Sequence, residues 1–124
     1  VKLLLDTNVL LWWQGDLGKL AERVRVAIRA ADDVYVSAAS AWEAEIKRSL
    51  GKLAFPQSFG DILVFNNFKE LPVTLAHAAA TSALPLHHRD PFDRMLIAQA
   101  SVEGCTLVTA DRRLAIYGVP LIQA

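Results

Sequence analysis

The sequence is nearly without sulfur: Cys105 is its one cysteine and Met95 its one methionine. A lone thiol excludes an internal disulfide and a Cys/His zinc cluster, and it fits a reducing compartment. Cys105 itself reads as a small buried strand residue. Excess charge of either sign is also missing, with thirteen Lys and Arg against thirteen Asp and Glu. No global field attracts a polyanion, so any phosphate binding has to be local, through a metal and a few arginines. No apolar run approaches the ~20 residues that span a bilayer, and the first residues lack a basic, long apolar and cleavage-site pattern. The expectation is a cytoplasmic protein with no membrane partner.

What the chain does have is apolar content: 53% of its 124 residues are hydrophobic and the mean hydropathy is +0.28. That length supports one domain over residues 1–124, with a real core and enough apolar surplus for one partner surface. No repeat, low-complexity tract or linker interrupts it.

Lys2 to Leu5 is a short apolar run ending in Asp-Thr-Asn, the pattern of a strand buried on both faces that turns at its carboxyl end. Leu17, Leu20, Val24, Ala27, Ile28 and Ala31 recur at helical spacing and predict the first crossover helix. Val34 to Ser37 reads as a strand and Ser40 to Leu50 as a helix stopped by Gly51. A helix over Ser58 to Asn67, an extended Leu71-Pro72-Val73 and an alanine-rich helix opened by Thr74 follow. Asp90-Pro91 starts another helix, with Pro at its first position, that runs to Glu103-Gly104. Thr106 to Thr109 is a strand, Asp111 to Ile116 a short helical turn, and Val119 to Ile122 a last strand. Strands separated by helices predict βαβ units and a parallel sheet, whose ligand crevice lies outside the carboxyl ends of the strands.

Four acids stand where such a fold converges: Asp6 and Asp111 after strands, Glu43 and Asp93 on helix faces. Each also has an ordinary reading. Ser40-Ala-Trp-Glu43 has the form of a capping box and Lys47 offers Glu43 an i,i+4 pair, yet Glu43 shares a helical face with Ile46 and Leu50. Asp90-Pro-Phe-Asp93 has the form of a capped helix start, yet Asp93 shares its stripe with Leu96, Ile97 and Ala100. Asp6, Asn8 and Asp111 are also ordinary turn residues. Together the acids say more: at an effective dielectric of about 20, two charges ~4 Å apart repel by roughly 4 kcal/mol. Converging carboxylates need a cation or protons, and hard oxygen ligands favour Mg2+ or Mn2+ over zinc. Asp90 reads as a helix cap or an auxiliary ligand.

The order and spacing of Asp6-Thr-Asn8, Ser37-Ala-Ala-Ser40-Ala-Trp-Glu43, Asp90-Pro-Phe-Asp93-Arg-Met-Leu-Ile-Ala98 and Leu107-Val-Thr-Ala-Asp111 resemble the PIN domain, in its VapC-type toxin branch. The resemblance covers essentially the whole chain, and four motifs in order are specific where any one is weak. It implies a three-layer α/β/α fold with a central parallel sheet and a Mg2+- or Mn2+-dependent endoribonuclease using one or two ions. It implies that Asp6, Glu43, Asp93 and Asp111 hold the metal, with Asn8, Ser37 and Thr109 supporting those carboxylates. It further implies an RNA substrate, a cognate antitoxin partner and a homodimer.

Arg48, Arg94, Arg112 and Arg113 lie near these elements and are the candidates for holding the RNA backbone. Of the adjacent Trp12 and Trp13, one is expected in the core and one at a partner surface. Phe55, Phe59, Phe65 and Phe68 form either a partner groove or plain core. His87, His88 and Arg89 read as a polar loop tip outside the chemistry. An aspartate-nucleophile phosphatase is disfavoured by Asn8, which stands where that chemistry wants a second acid. A phosphoreceiver domain is disfavoured by the missing acid pair at the first strand and the missing late lysine. The non-enzyme alternative is a PIN-like binding module whose acidic pocket receives a basic partner segment.

Overall fold

The computed structural model describes residues 1–124. Its strands are β1 Lys2–Leu5, β2 Asp33–Ser37, β3 Lys69–Leu71, β4 Thr106–Thr109 and β5 Leu121–Gln123. They form one sheet in the order β3-β2-β1-β4-β5, with every pair parallel. The helices are α1 Thr7–Gly15, α2 Glu22–Ala30, α3 Ala38–Ser49, α4 Phe59–Asn66, α5 Leu75–Ser82 and α6 Pro91–Glu103. Short 3-10 turns cover Leu17–Lys19 and Arg112–Tyr117.

Alternation along the central strand divides the core in two, because successive side chains leave opposite faces of a sheet. Leu3 and Leu5 join Val9, Leu10, Val24, Ile28, Val34, Val36, Ile62 and Val108 on one side. Leu4 joins Leu71, Leu96, Ile97, Ala100, Cys105, Leu107 and Leu114 on the other. Both faces are covered by helices, which gives the three expected layers. The periodic residues Leu20, Val24 and Ile28 are buried, and so is Cys105.

The chain walks outward from β1 to β2 and β3, then returns across the sheet to place β4 on the other side of β1. Strand order therefore reverses between β1 and β4, and their carboxyl ends splay around a crevice. The Asp6 backbone N–H still donates to the Val108 carbonyl at 3.0 Å, which carries the β1–β4 pairing to the crevice mouth.

Several boundaries depart from the sequence expectation. A helix, α1, starts at Thr7 directly after Asp6, where a turn was expected. Asp6 caps it, accepting from the Val9 N–H, and so does the work of both strand end and helix start. α3 begins at Ala38, capped by Ser37, so Ser40 lies inside the helix and caps nothing. β3 is Lys69–Leu71, ahead of Pro72, which has no N–H for a ladder. β5 falls a residue or two later than expected, after Pro120. Thr74, Asp90 and Gly104 cap α5 and α6 as read, Gly104 in the left-handed region with φ 67°.

Leu4 is fully buried in the middle of the central strand. Leu4→Ala is expected to lower stability by about 2–5 kcal/mol, measured by urea denaturation with an unchanged m-value.

Candidate active site

Three helix N-termini meet the carboxyl edge of the sheet: α1 and α3 because they follow β1 and β2, and α6 because it runs back toward β4. Each presents unpaired N–H groups and the positive end of its dipole, which favours carboxylates there. Between them lies a polar pocket of about 210 Å3, lined by Asp6, Thr7, Asn8, Glu43, Lys47, Asp90, Asp93, Asp111 and Arg113, with no hydrophobic residue. All four acids singled out in the sequence line it, and Asp90 with them.

Asp6 is the deepest, at 7% exposure. Its carboxylate accepts from the Thr109 hydroxyl at 2.6 Å, the Val9 N–H at 2.8 Å and the Ala110 N–H at 3.3 Å. Burial nevertheless pushes its pKa up, with Glu43 adding repulsion against the lowering effect of those donors. Thr109 also accepts from the Asp111 N–H at 3.1 Å, so one hydroxyl ties the ends of β1 and β4 together.

Glu43 accepts from the Thr7 hydroxyl at 2.8 Å and from Lys47 at 3.2 Å. Its surroundings differ from the sequence expectation. Ser37 caps α3, so there is no capping box at Ser40. Ile46 and Leu50, expected on a core face, are solvent-exposed, with Leu50 at 62%. Ala44 is the buried residue of this turn. Glu43 faces the crevice from a half-buried position beside it, oriented by Thr7, a residue the sequence reading passed over. Ser37 hydrogen-bonds the Ala39 N–H, and its bearing on the site runs through the start of α3. Asn8 is exposed on the pocket rim.

Asp93 sits at the start of α6 with Leu96, Ile97 and Ala100 buried behind it, as the stripe predicts. Desolvation by burial, then the charge of Asp90, raises its pKa to about 6 against the opposing pull of His88. Asp90 caps α6 through the Phe92 and Asp93 N–H groups while also lining the pocket. Asp111 behaves oppositely: two-pronged contact with the Arg113 guanidinium, at 2.7 to 3.2 Å, lowers its pKa to about 2.

His88, read from sequence as part of a bystander loop, belongs to the site. Its Nε2 lies 2.8 Å from Asp93 and 3.4 Å from Asp111. These three residues alone hold ligand atoms within 4.8 Å of one another; Asp6 and Glu43 line the same pocket without joining that tight group. The sequence signal was its position two residues ahead of the Asp90 cap, which brings the loop back over the helix start. His87 is exposed and packs edge-on against Tyr117.

The arginines divide. Arg94 donates to the carbonyls of Thr81, Leu84, Pro85 and His88 and to the Tyr117 hydroxyl, so it fastens the loop before α6 and is not free for RNA. Arg48 pairs with Glu45, stacks 3.6 Å over Phe55 and donates to the Phe55 and Gln57 carbonyls, away from the pocket. Arg112 is exposed, and Arg113 is exposed on the pocket wall. Trp12 and Trp13 both pack partly buried on the first core, and Trp13 donates to Asn66, so the expected division between core and surface is not found. Phe59 and Phe68 pack on that core and Phe55 on Phe59, whereas Phe65 is 82% exposed.

Five carboxylates, no thiolate and no apolar lining fit a hard divalent cation in the donor types they offer. The raised pKa of Asp93 has a consequence for the chelated protein. Its folded value near 6 exceeds the ordinary 3.8, so the folded state binds more protons and stability falls as pH rises from about 4 to about 6. The effect is at most about 3 kcal/mol. Urea denaturation in chelator at pH 4.5 and 7.5 should show that slope in the wild type and a smaller one in Asp93→Asn, where the raised pKa of Asp6 still contributes.

Comparison with known proteins agrees with the fold. Residues 3–119 match the PIN domain family. The chain is 35% identical over 122 residues to ribonuclease VapC22 of Mycobacterium tuberculosis, covering 94% of this chain and 92% of that protein. Its fold is shared by VapBC-1 from nontypeable Haemophilus influenzae (14% identity, TM-score 0.70, 99% and 98% of the two chains). FitAcB from Neisseria gonorrhoeae is similar again (22% identity, TM-score 0.67, 98% and 96%). The chain belongs to the PIN-domain family, in its VapC branch.

Proposed function

We propose that this protein is a divalent-metal-dependent endoribonuclease, the toxin of a toxin–antitoxin pair. The observation that carries the reading is the wholly polar pocket at the β1/β4 reversal, walled by Asp6, Glu43, Asp90, Asp93 and Asp111. The ribonuclease named among its relatives supports the substrate class.

Asp6, Glu43, Asp93 and Asp111 would hold Mg2+ or Mn2+, as one or two ions. Such an ion, when bound, lowers the pKa of water and offsets charge on the phosphate undergoing attack. The protein's part is positioning. Thr109 and the Val9 and Ala110 N–H groups fix Asp6, and Thr7 holds Glu43 where it can orient the attacking water. Lys47 and Arg113, each on a pocket carboxylate, are within reach of a phosphate that enters the pocket, and Arg112 stands exposed beside them. A charge-neutral protein needs these local cations, since nothing global attracts RNA.

A cognate antitoxin is the proposed protein partner, supported by the VapBC and FitAB assemblies that share the fold. Val64 and Phe65, both strongly exposed on α4, supply apolar surface for it. Homodimerisation is proposed on the same footing, with Trp42 and Phe92 exposing an apolar groove beside the pocket. No helix is long and apolar enough to cross a membrane, and a cytoplasmic site of action is proposed together with the RNA substrate.

Purified protein is expected to cleave RNA only with Mg2+ or Mn2+, and Asp6→Asn to reduce cleavage at least about 100-fold, the scale of losing one essential catalytic group, while retaining the native circular dichroism spectrum. Metal-independent cleavage, or full activity in Asp6→Asn, would overturn the assignment. Absence of cleavage by the wild type with tight capture of a basic peptide would favour a binding module instead. Relief of carboxylate repulsion predicts a second effect: millimolar Mn2+ raises the melting temperature of the wild type, and leaves Asp6→Asn/Glu43→Gln/Asp93→Asn/Asp111→Asn unchanged.

A further inference from the structure

The His88 ring has a single available proton arrangement in its neutral form. Nδ1 accepts from the Arg89 backbone N–H at 3.1 Å, so the ring proton resides on Nε2. That Nε2–H donates to Asp93 Oδ2, 2.8 Å away, while Asp111 Oδ2 lies 3.4 Å from the same nitrogen without a hydrogen bond. A nitrogen that presents a proton has no lone pair for a metal. His88 therefore sits among the acids as a donor.

Its placement is held from several sides. The His88 backbone N–H donates to the Tyr117 hydroxyl at 2.9 Å, its carbonyl accepts from Arg94, and its side chain is only 11% exposed. Tyr117 closes the 3-10 turn that begins beside Asp111, and Arg94 neighbours Asp93. One residue thus connects the start of α6 to the segment after β4, two parts of the chain that each supply a carboxylate to the pocket.

Resting on the reading of the pocket as a divalent-cation site, we propose that His88 is a positioning residue that clamps Asp93 beside Asp111 through its Nε2–H and leaves the other Asp93 oxygen available to a cation. Two carboxylates facing each other across a crevice repel, and each turns readily about its terminal torsion. A donor on one Asp93 oxygen fixes the plane in which its second oxygen is offered, as Arg113 fixes the plane of Asp111. Hydrogen-bond partners of metal-binding side chains change affinity by about 10- to 100-fold when removed. A direct imidazole ligand would need the proton moved to Nδ1, against the Arg89 N–H.

The test uses Mn2+ binding to the full chain, followed by the loss of the free-ion electron paramagnetic resonance signal and independent of any RNA cleavage. His88→Asn keeps an acceptor for the Arg89 N–H but falls short of Asp93, whereas His88→Gln carries an amide N–H out to the Nε2 position. The expected result is Mn2+ affinity about 10- to 100-fold weaker in His88→Asn and His88→Ala, and restored to within a few-fold of wild type in His88→Gln. Melting temperature in chelator checks that each variant is folded. Pulsed resonance of the wild-type Mn2+ complex should show no directly coordinated imidazole nitrogen. Wild-type affinity in His88→Asn, equal loss in His88→Asn and His88→Gln with both folded, or a coordinated imidazole signal would each overturn the clamp. Failure of the wild type itself to bind Mn2+ would instead sink the cation-site reading, and the clamp with it.

Discussion

The structure turns on the burial of one carboxylate at the mouth of its central strand. Asp6 ends β1, caps α1 and accepts hydrogen bonds from Val9, Thr109 and Ala110. Those donors come from two segments about a hundred residues apart in sequence, so the acid is placed only when β1 and β4 have paired. A buried, unpartnered carboxylate costs several kcal/mol. The pairing that builds the sheet is therefore also what makes this residue tolerable, and the crevice and its contents follow from it.

Around Asp6 the protein balances negative charge with devices of different strength. Helix N-termini at α1, α3 and α6 supply partial positive charge, and fixed donors such as Thr7 and Thr109 supply direction. Lys47 and Arg113 supply cationic partners at Glu43 and Asp111, and the His88 ring supplies a hydrogen bond at Asp93. The balance is uneven, which the divided behaviour of two neighbours reveals. Asp111, against an exposed guanidinium, is held strongly acidic, while desolvation and the nearby Asp90 raise the Asp93 pKa to about 6.

The layered architecture was legible because its signals are local and periodic. The apolar run at Lys2–Leu5, the 3.6-residue spacing from Leu20 to Ile28, and the caps at Thr74, Asp90 and Gly104 each follow from near neighbours in sequence. Boundaries were less legible where one residue serves two elements. Asp6 closes a strand and opens a helix, and Ser37 does the same for β2 and α3, so the expected turn at Thr7 and the expected cap at Ser40 were both displaced. Glu43 was singled out for a face that proved to be exposed at Ile46 and Leu50. The residue lines the pocket from a helix that starts two residues earlier than its apolar pattern suggested.

The sequence by itself determined the composition of the site and the class of fold: which acids follow strands, which open helices, and that parallel βαβ units would bring strand ends together. Those are consequences of side-chain period and capping chemistry, which act over a few residues. Only the tertiary structure decided who supports whom. It gave Thr7 to Glu43 and Thr109 to Asp6, withdrew Arg94 into a web of carbonyls, and carried His88 from a loop tip to the space between Asp93 and Asp111. Such partnerships join residues far apart in the chain, through loops whose course no local periodicity dictates, and so they exist only once the sheet has closed around its central strand.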